Sequence, residues 1–371
     1  MLFPYVFSPQ TMDKMQEFIE YIFMHVWCAA APDRPFQLSL FRGNAELYTI
    51  MEDIWQQIDI RKQSNAFWDQ VEDIYTAFTT LSPSEIQQIE QWFNGNNDIE
   101  GACSNQANVQ IVKYAQLKAF NLPIGELLEK FFKGLYDDPV LDRKAVRETI
   151  TTINDHYRKF VEINDGDICP FCGLEGLDGQ YEETREAYDH YLPKSLYPFN
   201  SINFHNLVPT CSKCNSRAKK NKDPLHSKAG TRRKAFYPFM SGHTLPAVSI
   251  DLDCKDYTAI QKQDLSLCFS HGSNEETETW KELYNIEERY KAHCCSKRGG
   301  KDWIVELYTW LQKGESPEGY LSVLAKQTRQ KPFAGVRFLK LPFLQACCNA
   351  HVFDAAVPDD SEGQACSDLG R

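Results

Sequence analysis

The chain has 371 residues, 42% of them apolar, and a formal charge of −11. That length supports two or three domains with cores of their own, and the absence of any run of eighteen apolar residues argues against a membrane-spanning helix. The negative balance argues against a protein that coats nucleic acid indiscriminately, so any nucleic-acid contact must be local or helped by a partner.

Residues 1–162 predict a helical domain, a candidate for partner binding together with the helical stretch at 277–346. The opening "MLFPYVFSPQTMDKMQEF" has neither a basic n-region nor a small-residue cleavage site, and reads as mature sequence. Met15, Phe18, Ile19, Ile22, Phe23 and Val26 recur at the spacing of one buried helix face, and Leu47, Ile50, Met51, Ile54, Trp55 and Ile58 repeat it. In "SPSEIQQIEQWFNG", Ser82 is the expected N-cap, Pro83 the first helical position and Glu85 the partner in a capping box, with Gly95 as the stop. One further helix is expected over about 143–162, with Val146, Ile150, Ile153, Tyr157 and Phe160 inward. These stripes read as core packing.

Residues 163–240 change character: Gly, Pro, Asn, Cys and His rise, and helical periodicity stops. Residues 241–350 start mixed, with "AVSIDLDC" and "LSLCFS" as short strands, and then turn helical from about 277 to 346. The end, 351–371, is small, polar and acidic, and is expected to be a disordered tail. The predicted fold class is therefore mainly α, with a small α+β module inserted between helical regions. His293, before Cys294–Cys295, lacks a second ligand pair and reads as part of a packed helix face. Thirteen cysteines, an odd number with no framework spacing, point to a reducing compartment and a cytoplasmic protein rather than a disulfide scaffold.

The central region carries the chemistry. Cys169-Pro-Phe-Cys172 and Cys211-Ser-Lys-Cys214 are two Cys-x-x-Cys knuckles, whose four thiolates would close a tetrahedral shell around Zn²⁺. Such a closed site is structural, and its metal contributes on the order of 10 kcal/mol to folding. The 38 residues between Cys172 and Cys211 are about twice a zinc ribbon's usual insert, so the knuckles house something else. Within and just after that insert stand Asp189-His190, Asn206 and, directly after the second knuckle, Asn215.

The order D-H, then N-L, then C-x-x-C-N, framed by an earlier C-x-x-C, resembles the HNH endonucleases. That resemblance covers about 60 residues and implies a ββα-metal fold, with "AYDHYLP" and "HNLVPTC" as the strands and "CNSRAKK" opening the helix. It implies His190 as the general base that activates water, Asn206 as the residue orienting it, and Asp189 and Asn215 as oxygen ligands of a catalytic Mg²⁺ or Mn²⁺. Two departures stand out. The family's basic residue three places after the last ligand is Ala218 here, between Arg217 and Lys219, and "SLYPFNS" replaces a Gly-Gly turn.

Lys213, Arg217, Lys219, Lys220, Lys222, Lys228, Arg232, Arg233 and Lys234 crowd 22 residues against one acid, Asp223. A charge run is more often a solvated face. This one begins on the helix carrying Asn215, so contact with a DNA phosphate backbone is expected, with little base readout. The resulting expectation is a metal-dependent DNA endonuclease of low sequence specificity. Free-standing HNH proteins with large helical flanks resemble antiphage-defence effectors such as the Septu type, which implies a partner protein, an ATPase in that type, or self-association. The competing expectation is a catalytically silent, zinc-stabilised DNA-binding or scaffolding protein.

Overall fold

The computed structural model describes residues 1–59, 65–164, 166–240, 247–256, 258–270 and 274–353. Most of the expected tail lies outside the described residues. The architecture is mainly helical with two small two-stranded sheets among the described residues. The chain divides into two compact units: Met1–His243 with Ser273–Tyr284, and Thr244–Gly272 with Asn285–Arg371.

The first unit begins with α1 (Lys14–Tyr21), α2 (Ala45–Asp59), α3 (Ala66–Phe78), α4 (Pro83–Asn97) and α5 (Ile99–Cys103). It continues with α6 (Tyr114–Phe120), α7 (Leu122–Leu135), α8 (Lys144–Ile150) and α9 (Ile153–Asn164). The stripe of α1 runs on through a wider-wound turn, Ile22–Trp27, and all six of its predicted residues are buried. In α2, Leu47, Ile50, Met51 and Ile54 are buried, while Trp55 and Ile58 are half-buried.

The capping box at α4 forms as expected. Ser82 Oγ accepts from Glu85 N at 3.3 Å, and Glu85 Oε2 accepts from Ser82 N at 2.8 Å. Gly95 does not stop that helix, which runs on to Asn97. A Cβ at Gly95 would lie 1.9 Å from the Gln110 carbonyl oxygen, so glycine is required there by close backbone approach, not by termination. The expected helix over 143–162 is two helices. Thr151 breaks it at φ 65°, where the Thr11 hydroxyl donates to the Ile150 carbonyl at 3.2 Å. Thr152 then recaps the chain by accepting from Asp155 N at 3.2 Å. Both halves bury the same face, so periodicity alone hid the break.

An aromatic cluster fills the core of this unit. Phe23 stacks on Phe93 at 4.0 Å, with Trp27, Phe78 and Phe132 around them. Phe199 enters the same cluster from the central region, 5.3 Å from Phe93 and 5.2 Å from Phe132. The loop "SLYPFNS" is therefore an anchor in the helical core. Asn96 Nδ2 donates to Pro198 O, and Asn200 Nδ2 donates to Asn96 O. Residues 1–162 and the motif region consequently share one core, and the expected boundary near 162 falls inside a single compact unit.

The second unit holds β3 (Ala247–Leu252) paired antiparallel with β4 (Leu265–Ser270), both at the predicted places. Helices α11 (Ile286–Cys294), α12 (Asp302–Leu311), α13 (Pro317–Gln330) and α14 (Arg337–Asn349) complete it. The run "ETWKELYNIEERYKAH" is not continuous: Asn285, at φ 52°, separates α10 (Asn274–Tyr284), which belongs to the first unit, from α11. The His293 ring lies 5.2 Å from the Trp303 ring, within helix packing. None of the described cysteines is bonded to another.

Candidate functional site

Two tight turns present the four cysteines. In the first, Cys172 N and Gly173 N both donate to Cys169 O, and Gly173 takes φ 64°, a conformation glycine adopts without strain. In the second, Cys214 N and Asn215 N donate to Cys211 O, and Cys214 N also reaches Cys211 Sγ at 3.4 Å. All four sulfurs are buried and lie within 4.8 Å of one another. Cys172 Sγ and Cys211 Sγ are 3.9 Å apart, and a tetrahedron with Zn–S bonds of about 2.3 Å has edges of about 3.8 Å. Burial pushes the Cys169 and Cys214 thiols well above their ordinary range, so a cation is what would allow these sulfurs to ionise together. The group fits a metal ion such as zinc.

The surroundings fix that geometry from several directions. Leu2 N donates to Pro170 O. From α10, Trp280 Nε1 donates to Phe171 O at 2.8 Å, and Tyr284 stacks on the Phe171 ring at 4.7 Å. Lys213 bridges to Glu175 at 2.7 Å, tying the second knuckle to the first.

Between the knuckles, β1 (Tyr188–His190) pairs antiparallel with β2 (Leu207–Pro209), placing Asp189 opposite Val208 and His190 opposite Leu207. The motif helix follows over Lys213–Lys219, with Asn215 half-buried in its first turn. The strand–strand–helix order and the positions of its parts match the sequence expectation. The strands are shorter than expected because the chain turns sharply after His190: Tyr191 N donates to Asn206 O, and Pro193 O accepts from both Leu196 N and Tyr197 N.

His190 is half-buried, and its Nε2 lies 2.8 Å from Ser201 O. A carbonyl only accepts, so Nε2 carries the proton and the lone pair of the neutral ring sits on Nδ1. Burial pushes the proton affinity of this imidazole down to about pKa 4. Asn206 does not orient the ring. Its Oδ1 accepts from Leu192 N at 2.6 Å, and its Nδ2 donates to Leu192 O and Asn200 O. Asn206 closes the loop over 191–206, and that loop presents the Ser201 carbonyl that holds His190.

Asp189 is buried, and a lysine neutralises it. Lys219 Nζ lies 3.0 Å from Oδ1, 2.9 Å from Oδ2 and 2.8 Å from His190 O. The Lys219 side chain is 0% exposed. The motif helix is wound wide, with Lys220 N donating to Asn215 O five residues back. Lys219, the fourth residue after Asn215, is thereby set against Asp189.

The basic run is therefore corrected residue by residue. Lys219 is buried and cannot line a DNA-backbone surface. Arg233 is buried too, donating to Asp223 O, Pro224 O and Glu282 Oε2. Lys222 donates to the carbonyls of Glu282 and Leu283 at the end of α10, and Arg232 donates to Leu225 O and Ala102 O. These four charges stitch the fold. Lys213 is engaged with Glu175 at the surface, and Arg217, Lys220, Lys228 and Lys234 are exposed.

Sequence reasoning missed Ser201, Tyr136 and Lys194. The Tyr136 ring meets the His190 ring edge-on at 4.8 Å, and Lys194 Nζ lies 5.2 Å from the Tyr136 centroid. Tyr136 follows α7, 54 positions before His190, and no local pattern links the two. Lys194 stood in view directly after the Asp-His-x-x-Pro turn.

No protein-family model and no solved structure matches the chain. Over 99 residues it is 31% identical to Protein ea31 of Escherichia phage lambda. The match spans 27% of this chain and 29% of that protein.

Proposed function

We propose that the protein is a metal-dependent HNH-type endonuclease that hydrolyses DNA phosphodiester bonds with little intrinsic sequence preference. The observation that carries this reading is His190. It stands on the first strand of a strand–strand–helix unit, its tautomer is fixed by Ser201 O, and a buried carboxylate lies beside it. Zn²⁺ in the four-cysteine cluster is the structural ion, holding both ends of that unit. A catalytic Mg²⁺ or Mn²⁺ would be held by the side-chain oxygens of Asp189 and Asn215 and would supply charge neutralisation for phosphodiester hydrolysis. Lys219 must share or yield Asp189 when that ion binds. His190 Nδ1 takes the proton of the attacking water.

The Lys219–Asp189 pair also favours a second reading, a silent zinc-stabilised DNA-binding protein in which the ammonium has replaced the catalytic ion. A plasmid assay separates the two. The nuclease reading expects nicking or linearisation with Mg²⁺ or Mn²⁺ that stops in EDTA; the silent reading expects DNA retention without a cut. Metal analysis should find about one zinc per chain.

Supercoiled DNA is the proposed substrate, with the cytoplasm as the compartment. A partner protein, or a second copy of the chain, is proposed to restrain or deliver the activity. Helices α1–α9 share the core of the motif unit, so the second compact unit is the part proposed to carry that contact. A pull-down with the second unit's surface charges reversed tests it.

A further inference from the structure

Two lysines stand close to His190: Lys219 donates to its carbonyl, and Lys194 shares the Tyr136 ring with its imidazole. Lys219 is fully buried against Asp189 and the His190 carbonyl, so it has no freedom to meet a substrate. Lys194 is placed differently. It follows Pro193 at the turn after β1, and its ammonium stands over the Tyr136 ring that also meets His190. The imidazole and the ammonium thus share one aromatic neighbour. Lys194 Nζ pairs with Asp137 Oδ2 at 2.5 Å. The Lys194 side chain is 28% exposed and that of Asp137 72%. A pair with so exposed a carboxylate is weakly held, so another anion can replace Asp137. Beside Asp137 lies a cavity of about 490 Å³ whose lining includes Tyr136, the carboxylates of Asp137, Asp138 and Asp142, Arg185 and Leu207, with Lys194 and His190 outside it. Leu207 is the strand partner of His190.

We propose that Lys194 is a phosphate-binding residue of the His190 site, held by the Asp137 carboxylate until a phosphodiester takes that carboxylate's place. The proposal rests on the nuclease reading and adds to it that the helical region contributes to the site through Tyr136 and Asp137. In the hydrolysis, the water oxygen bonds to phosphorus while the bond to the leaving deoxyribose oxygen breaks. The water's proton passes to His190 Nδ1, and the leaving oxygen takes a proton from solvent. Charge on the non-bridging phosphate oxygens grows as this happens, and Lys194 donates to one of them. Asp137 acts as an internal competitor for the substrate anion, so its removal favours binding.

The test compares Lys194→Met, Lys194→Arg, Asp137→Asn and His190→Ala in the full chain. Each is first checked for wild-type zinc content and melting temperature, and plasmid cleavage is then measured with Mn²⁺. Lys194→Met should lower kcat/KM about 100-fold, with KM raised and kcat lowered, as expected when a cation that binds the phosphate and donates to its transition-state charge is lost. Lys194→Arg should keep activity within about tenfold, since the guanidinium also donates to phosphate. Asp137→Asn should raise kcat/KM. A purely structural pair would instead impair Asp137→Asn and Lys194→Met alike, and that result overturns the proposal. Full activity in Lys194→Met beside an inactive His190→Ala overturns it too and leaves the nuclease reading standing. A wild-type chain that cuts no DNA with either divalent ion removes the nuclease reading, and this inference with it.

Discussion

At the residue scale the decisive pair is Asp189 with Lys219. Both side chains are essentially out of water, 4% and 0% exposed, so each charge depends on the other. Lys219→Met should destabilise the protein by about 3–5 kcal/mol, because it leaves a carboxylate buried without its cation; chemical denaturation of the zinc-loaded protein measures this. Adding Mn²⁺ should restore part of the loss if Asp189 holds a divalent ion. His156 offers a second check. It is buried, its Nδ1 lies 2.5 Å from Tyr188 OH, and its ring packs on Phe204 at 4.1 Å. Burial first, and the charge of Lys159 second, push its pKa down to about 4. The unfolded chain takes up this proton near pH 6.5, whereas the folded chain resists until about pH 4, so stability is lost as pH falls through that window. Denaturation at pH 7.5 and 5.0 should show His156→Phe losing less stability on acidification than wild type. The sequence placed Asp189 and His190 on the first strand, where they stand. It could not reveal that Lys219 neutralises the aspartate, since that depends on one extra residue in a widened turn.

The loop over 191–206 is the informative element. Its role is structural: Phe199 sits at φ 80° and is fully buried among Phe23, Phe93 and Phe132. A non-glycine residue in that conformation costs on the order of 1–3 kcal/mol, which the packing must exceed. Phe199→Ala should therefore destabilise the first unit by about 3–5 kcal/mol. Because the same loop presents Ser201 O to His190, activity should fall by more than the unfolded fraction explains; thermal melts and cleavage rates on one preparation check both. The short strands and the helix start were legible because Asp-His, Asn-Leu and Cys-x-x-Cys-Asn punctuate them. Gly95 and the 143–162 helix misled for a common reason: a carbonyl from Gln110 and a hydroxyl from Thr11, both distant in sequence, decide those positions.

For the whole molecule, the mainly helical class and the four-cysteine cluster were readable from apolar spacing and knuckle chemistry. The partition was not. Asn96, Asn200 and Phe199 weld the motif region to helices that periodicity had set apart, and the basic run proved to be largely internal ties such as Arg233 with Glu282. A charge pattern in sequence does not say which side of the surface it occupies. The central claim, that this unit cleaves phosphodiesters with His190 as its base, is tested most directly by the cleavage rate of His190→Ala. The measurement uses supercoiled plasmid, Mn²⁺, and protein matched to wild type in zinc content and melting temperature. The account predicts a loss of at least about 100-fold; wild-type cleavage by that variant would contradict it.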